Sequence, residues 1–264
     1  MGVVRAAVRT RVEDAVLVVT LDRPKANAID VPTSQALYAA FRQLEDDPTL
    51  RCGIITGAGD RFFSAGWDLK AAAAGESVEA DHGPGGFAGL TEYAGRTKPV
   101  IAAINGMAMG GGFELALAAD LIVMAEHAEV ALTEALVGVV ADAGGVLRIP
   151  RLVPPAIARE LLLTGRRMSA DEALRWGLVN RVVPGEHVLD TSLELAAAIC
   201  ATAPLSVAAV QELLARTEGL GVEEAFELMR SGDLPAYRAM QRSQDAVEGP
   251  LAFAEKRPPR WTGS

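Results

Sequence analysis

Aromatic residues are scarce in this chain, with 3 Trp, 3 Tyr and 7 Phe among 264 residues. Positive charge is short as well, 25 Lys and Arg against 34 Asp and Glu, for a formal charge of −9 and a pI near 5.0. Nucleic acid and anionic membrane surfaces reward a basic face, and single strands also need rings to stack on, so neither is expected as a partner. The two cysteines, Cys52 and Cys200, are far apart and show no CxxC spacing. A structural disulfide is therefore not expected, and a reducing cytoplasm suits the composition. The three histidines, His82, His127 and His187, show no metal-ligand spacing and neighbour neither a Cys nor a suitably placed Glu, so no metal site is expected. Apolar runs are interrupted well short of the ~18 residues a membrane span needs. The opening Met1-Gly2-Val3-Val4-Arg5-Ala6 lacks the apolar core of a signal peptide.

Half of the chain is hydrophobic, enough for one large core. Ala15–Leu21, Arg51–Thr56, Pro99–Asn105 and Leu121–Ala125 are short, mostly β-branched or apolar runs and read as buried strands. Between them, Pro32–Asp46 has Leu37, Ala40, Phe41 and Leu44 at helical spacing, with Asp30 as N-cap, and a helix continues from Glu114 to Ala119. Ala71–Thr97 turns to Ala, Gly, Asp and Glu, a helix fragment followed by a loop of lid length around Gly83–Gly89. From Pro154 onward the pattern reads as almost wholly helical, most clearly over 190–201, 204–217 and 222–230. Interleaved strands and helices followed by helices indicate an α/β core, residues 1–200, with a helical C-terminal region, residues 201–264.

The chemistry is concentrated in two glutamates twenty positions apart. Glu114 follows Gly110-Gly111-Gly112-Phe113, and Glu134 precedes Gly144-Gly145. Two carboxylates beside glycine-rich backbone suit acid/base work next to an anion-stabilising pocket. Apolar flanks favour a buried Glu114 with a purpose over a solvated helix face. The stretch Ser64-Ala65-Gly66-Trp67-Asp68-Leu69 offers a second small-residue turn whose N–H groups can face a ligand oxygen. The Gly106–Gly112 run has neither GxGxxG order nor a GK[ST] ending, which excludes the usual dinucleotide and phosphate-cradling loops.

These stretches resemble the crotonase (enoyl-CoA hydratase/isomerase) superfamily. The likeness runs from Leu21-Asp22-Arg23-Pro24-Lys25-Ala26-Asn27-Ala28 through Ser64-Ala65-Gly66, Asn105 to Glu114 and Thr164-Gly165-Arg166-Arg167 to Phe253-Ala254-Glu255-Lys256-Arg257. It implies a spiral of ββα repeats with a helical C-terminal trimerisation region, giving a homotrimer or a dimer of trimers. It also implies a hydratase or dehydratase acting on an acyl-coenzyme A thioester, with coenzyme A entering as part of the substrate and no permanently bound cofactor. Family isomerases commonly keep only one of the two glutamates, so the pair favours hydration or its reverse.

By the same resemblance Glu114 activates water, Glu134 exchanges the α-proton, and the N–H groups of Ala65 and Gly111 form an oxyanion hole. On spacing alone Ala65 and Gly111 are equally ordinary turn residues. Arg23, Lys25, Ala26 and Ala28 resemble the segment along the nucleotide of coenzyme A, and Ser64, Gly66, Asp68 and Leu69 the segment beside the thioester. Phe253 and Lys256 resemble the pair that reaches the cofactor from a neighbouring subunit. The stretches Asp22–Asp30, Ser64–Ala72 and Gly83–Glu92 are most similar to members whose acyl group carries a quaternary ammonium, for which Trp67 and Phe87 are the aromatic candidates. A general short-chain substrate and a non-catalytic acyl-coenzyme A binder are the alternatives. Asp142 sits where some family isomerases place a proton-transfer acid, but it reads first as an N-cap or loop hydrogen-bonder before a helix starting at Gly144-Gly145.

Overall fold

The computed structural model describes residues 6–77 and 79–264. The opening Met1–Arg5, read above for the absence of a leader core, lies outside the described residues. The chain divides into two compact units, one running through Ala94 and resuming over Val100–Ala196, the other comprising Gly95–Pro99 and Ala197–Ser264.

The first unit begins with β1 (Val8–Glu13) and β2 (Val16–Leu21), followed by α1 (Val31–Asp46), β3 (Cys52–Gly57), β4 (Phe62–Ser64) and α2 (Leu69–Ala73). Next come β5 (Val100–Ile104), β6 (Met107–Met109), α3 (Gly111–Leu117), β7 (Leu121–Ala125) and β8 (Glu129–Ala131). Then follow α4 (Gly145–Leu152), α5 (Pro155–Thr164), β9 (Met168–Ser169), α6 (Ala170–Arg175), β10 (Arg181–Val183) and α7 (Val188–Cys200), inside which the division between units falls.

A six-stranded sheet has the order β1-β2-β3-β5-β7-β10, parallel throughout except for the β1–β2 hairpin. Its central strands are buried along their length, which is why they read as unbroken Val/Ile/Ala runs rather than alternating ones. A four-stranded sheet has the order β4-β6-β8-β9, with β4, β6 and β8 parallel. Asp30 caps α1 by accepting the Thr33 N–H, as the spacing predicts.

Three elements depart from the sequence reading. The stretch after Pro154 is not wholly helical, because β9 and β10 add an edge strand to each sheet, and at two and three residues they are too short to show a period. At the opposite edge β1 is mostly exposed and carries arginines, so it lacks the apolar face that marks a strand. The second unit consists of the end of α7 and the helices α8 (Pro204–Thr217), α9 (Val222–Ser231), α10 (Pro235–Gln241) and α11 (Gln244–Ala254).

Candidate active site

The site is built at the ends of three neighbouring parallel strands. β4 ends at Ser64 and delivers the Ala65–Asp68 turn, β6 ends at Met109 and delivers Gly110 and α3, and β8 ends at Ala131 and delivers Glu134. Because the three strands run in parallel, their carboxyl ends lie on one side of the sheet, where open α/β sheets bind ligands. A cavity of about 340 Å³ lies there, lined by Trp67, Phe87, Gly111, Glu114, Glu134 and Asp142 among others.

Close backbone approach is what glycine supplies at this place. A Cβ on Gly66 would lie 2.6 Å from the Gly111 nitrogen and 2.6 Å from the Met109 oxygen, and Gly66 has φ +78°. The β4 and β6 turns are thus packed backbone to backbone. Gly111 begins α3, so its N–H has no partner within the helix, and a Cβ there would meet the Phe87 ring at 2.5 Å.

The assignment of Ala65 as an oxyanion donor is corrected by its hydrogen bond. The Ala65 N–H donates to the Ala26 carbonyl at 2.9 Å and is spent on joining the two turns. Two residues on, the geometry is different. Ile29 donates to the Gly66 oxygen and accepts from the Asp68 N–H, which leaves the intervening Trp67 N–H without an acceptor among the described residues. Trp67 and Gly111 both line the cavity, and neither N–H has an acceptor among the described residues. Spacing does not reveal which N–H of the turn the bridge to Ala26 consumes, and it is that of Ala65.

Glu114 is only 3 % exposed, and its Oε1 accepts the Gly145 N–H at 2.8 Å. Burial, aided by the charges of Glu134 and Asp142, raises its pKa to about 8 against the pull of that hydrogen bond. Burial and Asp142 likewise push Glu134 above the usual carboxylate range, and its Oε2 is enclosed with no hydrogen-bond partner among the described residues. Gly110, at φ +53°, leaves room for this carboxylate, since a Cβ there would stand 3.0 Å from Glu134 Oε1. Both carboxyls are therefore easier to protonate than free ones, and Glu114 keeps its proton up to about pH 8, which suits proton exchange.

Asp142 is neither the N-cap of α4 nor, among the described residues, a side-chain hydrogen-bonder of its loop. Gly144 occupies the N-cap of α4 with no side-chain bond, and Asp142 lines the cavity instead. His82 lines it too, with Nδ1 at 2.8 Å from the Ser34 Oγ, and burial lowers its pKa so that the ring is neutral. Glu79, Asp81 and Glu92 complete an acidic wall, and among the described residues no Lys or Arg lines the cavity. The sequence marks their loop by its length and composition but not as a wall of the cavity.

The remaining predicted positions support the turns. Ser64 is fully buried, donates to the Asn27 oxygen at 2.7 Å and accepts the Gly66 N–H at 3.1 Å. Ala26 and Ala28 accept, through their carbonyls, from Ala65 and Arg23. Arg23 is paired with Asp30 at 2.6 Å and with Asp68 at 2.8 Å, so its donors are engaged within the chain. Asp68 also caps α2, Leu69 is exposed, and Lys25 is an exposed cation at φ +82°. The Trp67 ring nitrogen donates to Glu76 at 3.0 Å, and Phe87 packs edge-on against His82. Phe253 and Lys256 belong to the second unit, where Phe253 is 87 % exposed.

Two backbone N–H groups without an acceptor among the described residues, beside two carboxyls whose pKa values are raised, suit acid/base chemistry on a carbonyl compound. The profile of the enoyl-CoA hydratase/isomerase family matches residues 11–264, and the chain belongs to that family. Over 248 residues it is 60 % identical to the carnitinyl-CoA dehydratase of Salmonella arizonae, covering 94 % of this chain and 95 % of that protein. Among solved structures it is similar to an enoyl-CoA hydratase from Mycobacterium tuberculosis, with TM-score 0.88, 42 % identity and coverage of 98 % and 99 % of the two chains. A carnitinyl-CoA hydratase from Mycobacterium avium aligns with TM-score 0.77, 42 % identity and coverage of 98 % and 100 %.

Proposed function

We propose that this chain is a hydro-lyase that interconverts crotonobetainyl-CoA and carnitinyl-CoA by adding or removing water across the α,β bond. The observation that carries the reading is the meeting of Glu114 and Glu134 with the Trp67 and Gly111 N–H groups at one cavity. The thioester oxygen sits between the two N–H donors, which stabilise the enolate by roughly 3–4 kcal/mol apiece. Gly111 adds the positive end of α3 to that hole. Glu114, held by Gly145, takes the proton of the attacking water, and Glu134 supplies the proton to the α-carbon. In dehydration the two exchange roles, so the working state in either direction is a pair that shares one proton.

The identity of the acyl group is supported by two things, the 60 % likeness to a carnitinyl-CoA dehydratase and a cavity wall of one sign of charge. The resemblance to enoyl-CoA hydratases of known structure favours a short neutral chain as the second reading. The ratio of kcat/KM for crotonobetainyl-CoA to that for crotonyl-CoA separates them. A ratio well above one is expected, and a ratio at or below one makes the protein a general short-chain hydratase.

Assembly and location follow as part of the same proposal. Val210, Leu214, Phe226, Val247, Leu251 and Phe253 are exposed apolar side chains within the second unit, which suits a homotrimer or dimer of trimers. In such an assembly Phe253 and Lys256 serve a neighbour's coenzyme A, while Lys25 meets phosphate oxygens. Light scattering tests the assembly, and a monomer would remove this role for Phe253 and Lys256. No single helix among the described residues is long and apolar enough to cross a membrane, and we infer a cytoplasmic enzyme.

A further inference from the structure

A trimethylammonium group has no N–H to offer, so a protein recognises it only by charge and by contact with its methyl groups. In the crotonobetainyl chain the nitrogen is two bonds from the β-carbon that receives water, a separation of about 2.5 Å. Any counter-ion must therefore stand beside the reacting glutamates without being one of them.

We propose that Asp142 is this counter-ion, a specificity-determining residue that selects a cationic group at the γ-position of the acyl chain; this rests on the function proposed above. Asp142 lines the same cavity as Glu114 and Glu134 and precedes by three residues Gly145, whose N–H holds Glu114. At 3.8 Å per residue its Cα is at most about 11 Å from that of Gly145. Its charge raises the pKa of both glutamates, and it follows Glu134 in the chain by eight residues, whereas Glu79, Asp81 and Glu92 reach the cavity from another loop. The Asp142 carboxylate makes no hydrogen bond or ion pair with another described residue, so its charge is available to a ligand. Val139 and Val140 line the cavity just before it and supply apolar contact for the methyl groups. As the acyl group enters, the cation covers the carboxylate and neutralises it in place.

The test compares crotonobetainyl-CoA with the neutral thioester in which a tert-butyl group replaces trimethylammonium, an isostere that differs in charge alone. In Asp142→Asn the ratio of kcat/KM for the cationic over the neutral thioester falls about tenfold, or about 1.4 kcal/mol, through KM of the cationic one. Asp142→Glu keeps the preference. A ratio that survives Asp142→Asn overturns the proposal. So does a parallel fall for both thioesters, which is the signature of a proton-transfer acid. Wild-type protein without a preference for the cationic thioester would instead undo the functional reading itself, whereas a wild-type preference retained in the variant undoes only the role of Asp142.

Discussion

The Gly145 N–H reaches across from α4 to Glu114 Oε1 at 2.8 Å and holds a carboxyl group that is otherwise sealed from water. One backbone donor does not offset the loss of hydration, so the acid is kept protonated up to about pH 8. This has a consequence for stability. The unfolded chain ionises Glu114 near 4.3, well below the folded value, so folding takes up a proton between the two. The penalty is absent below about pH 4, grows as pH rises and is complete above about pH 8. Glu114→Gln, which keeps the acceptor for Gly145, is expected to raise stability at about pH 8 by on the order of 1–3 kcal/mol and at about pH 5 by much less. Urea unfolding at the two pH values measures this, and an equal effect at both would contradict it.

The same burial sets the pH dependence of turnover. The working pair carries one proton, so kcat/KM is bell-shaped with both limbs above the usual carboxylate range, one of them near 8. Hydration and dehydration share one bell, because the singly protonated pair serves both. A profile that is flat from about pH 5 to about pH 9 would count against the assignment.

Gly66 is where the two donor turns touch. Gly66→Ala places a methyl group 2.6 Å from the Gly111 nitrogen at a backbone angle that alanine resists, so both free N–H groups move. The expected result is a fall in kcat of about a hundredfold or more, against a loss of only about 1–3 kcal/mol in stability. Steady-state kinetics beside thermal unfolding checks it. Turnover that survives would mean that the hole is formed elsewhere.

Ser64 ties this turn to Asn27 from within the core. Ser64→Ala strands the buried Asn27 carbonyl and the Gly66 N–H together, at a cost of about 1–3 kcal/mol. The loss should show equally with and without substrate in a thermal shift, since the hydroxyl is buried and engaged within the chain.

Much of this was legible in the chain. Buried strands such as Cys52–Gly57 announce themselves by unbroken apolar runs, and the glycine run before Glu114 marks a backbone that something must approach. What stayed hidden depended on pairings that no local pattern records. The Ala65 N–H is lost to Ala26 only because two distant turns are stitched together, and the Trp67 N–H is the one left without an acceptor among the described residues. Asp142 has the spacing of a helix cap, yet Gly144 takes that place and Asp142 lines the cavity. The acidic wall of Glu79, Asp81 and Glu92 exists because a loop folds over the carboxyl ends of β4, β6 and β8, and such a loop has no period to read.

The central claim is that Glu114 and Glu134 perform the proton transfers while the backbone holds the thioester. It is tested most directly by measuring turnover and binding of crotonobetainyl-CoA together in Glu114→Gln and Glu134→Gln. Each variant is expected to lose turnover by a factor on the order of a thousand, with Kd for the thioester close to wild type. Binding that collapses in step with turnover would place the two glutamates in substrate recognition and contradict the account.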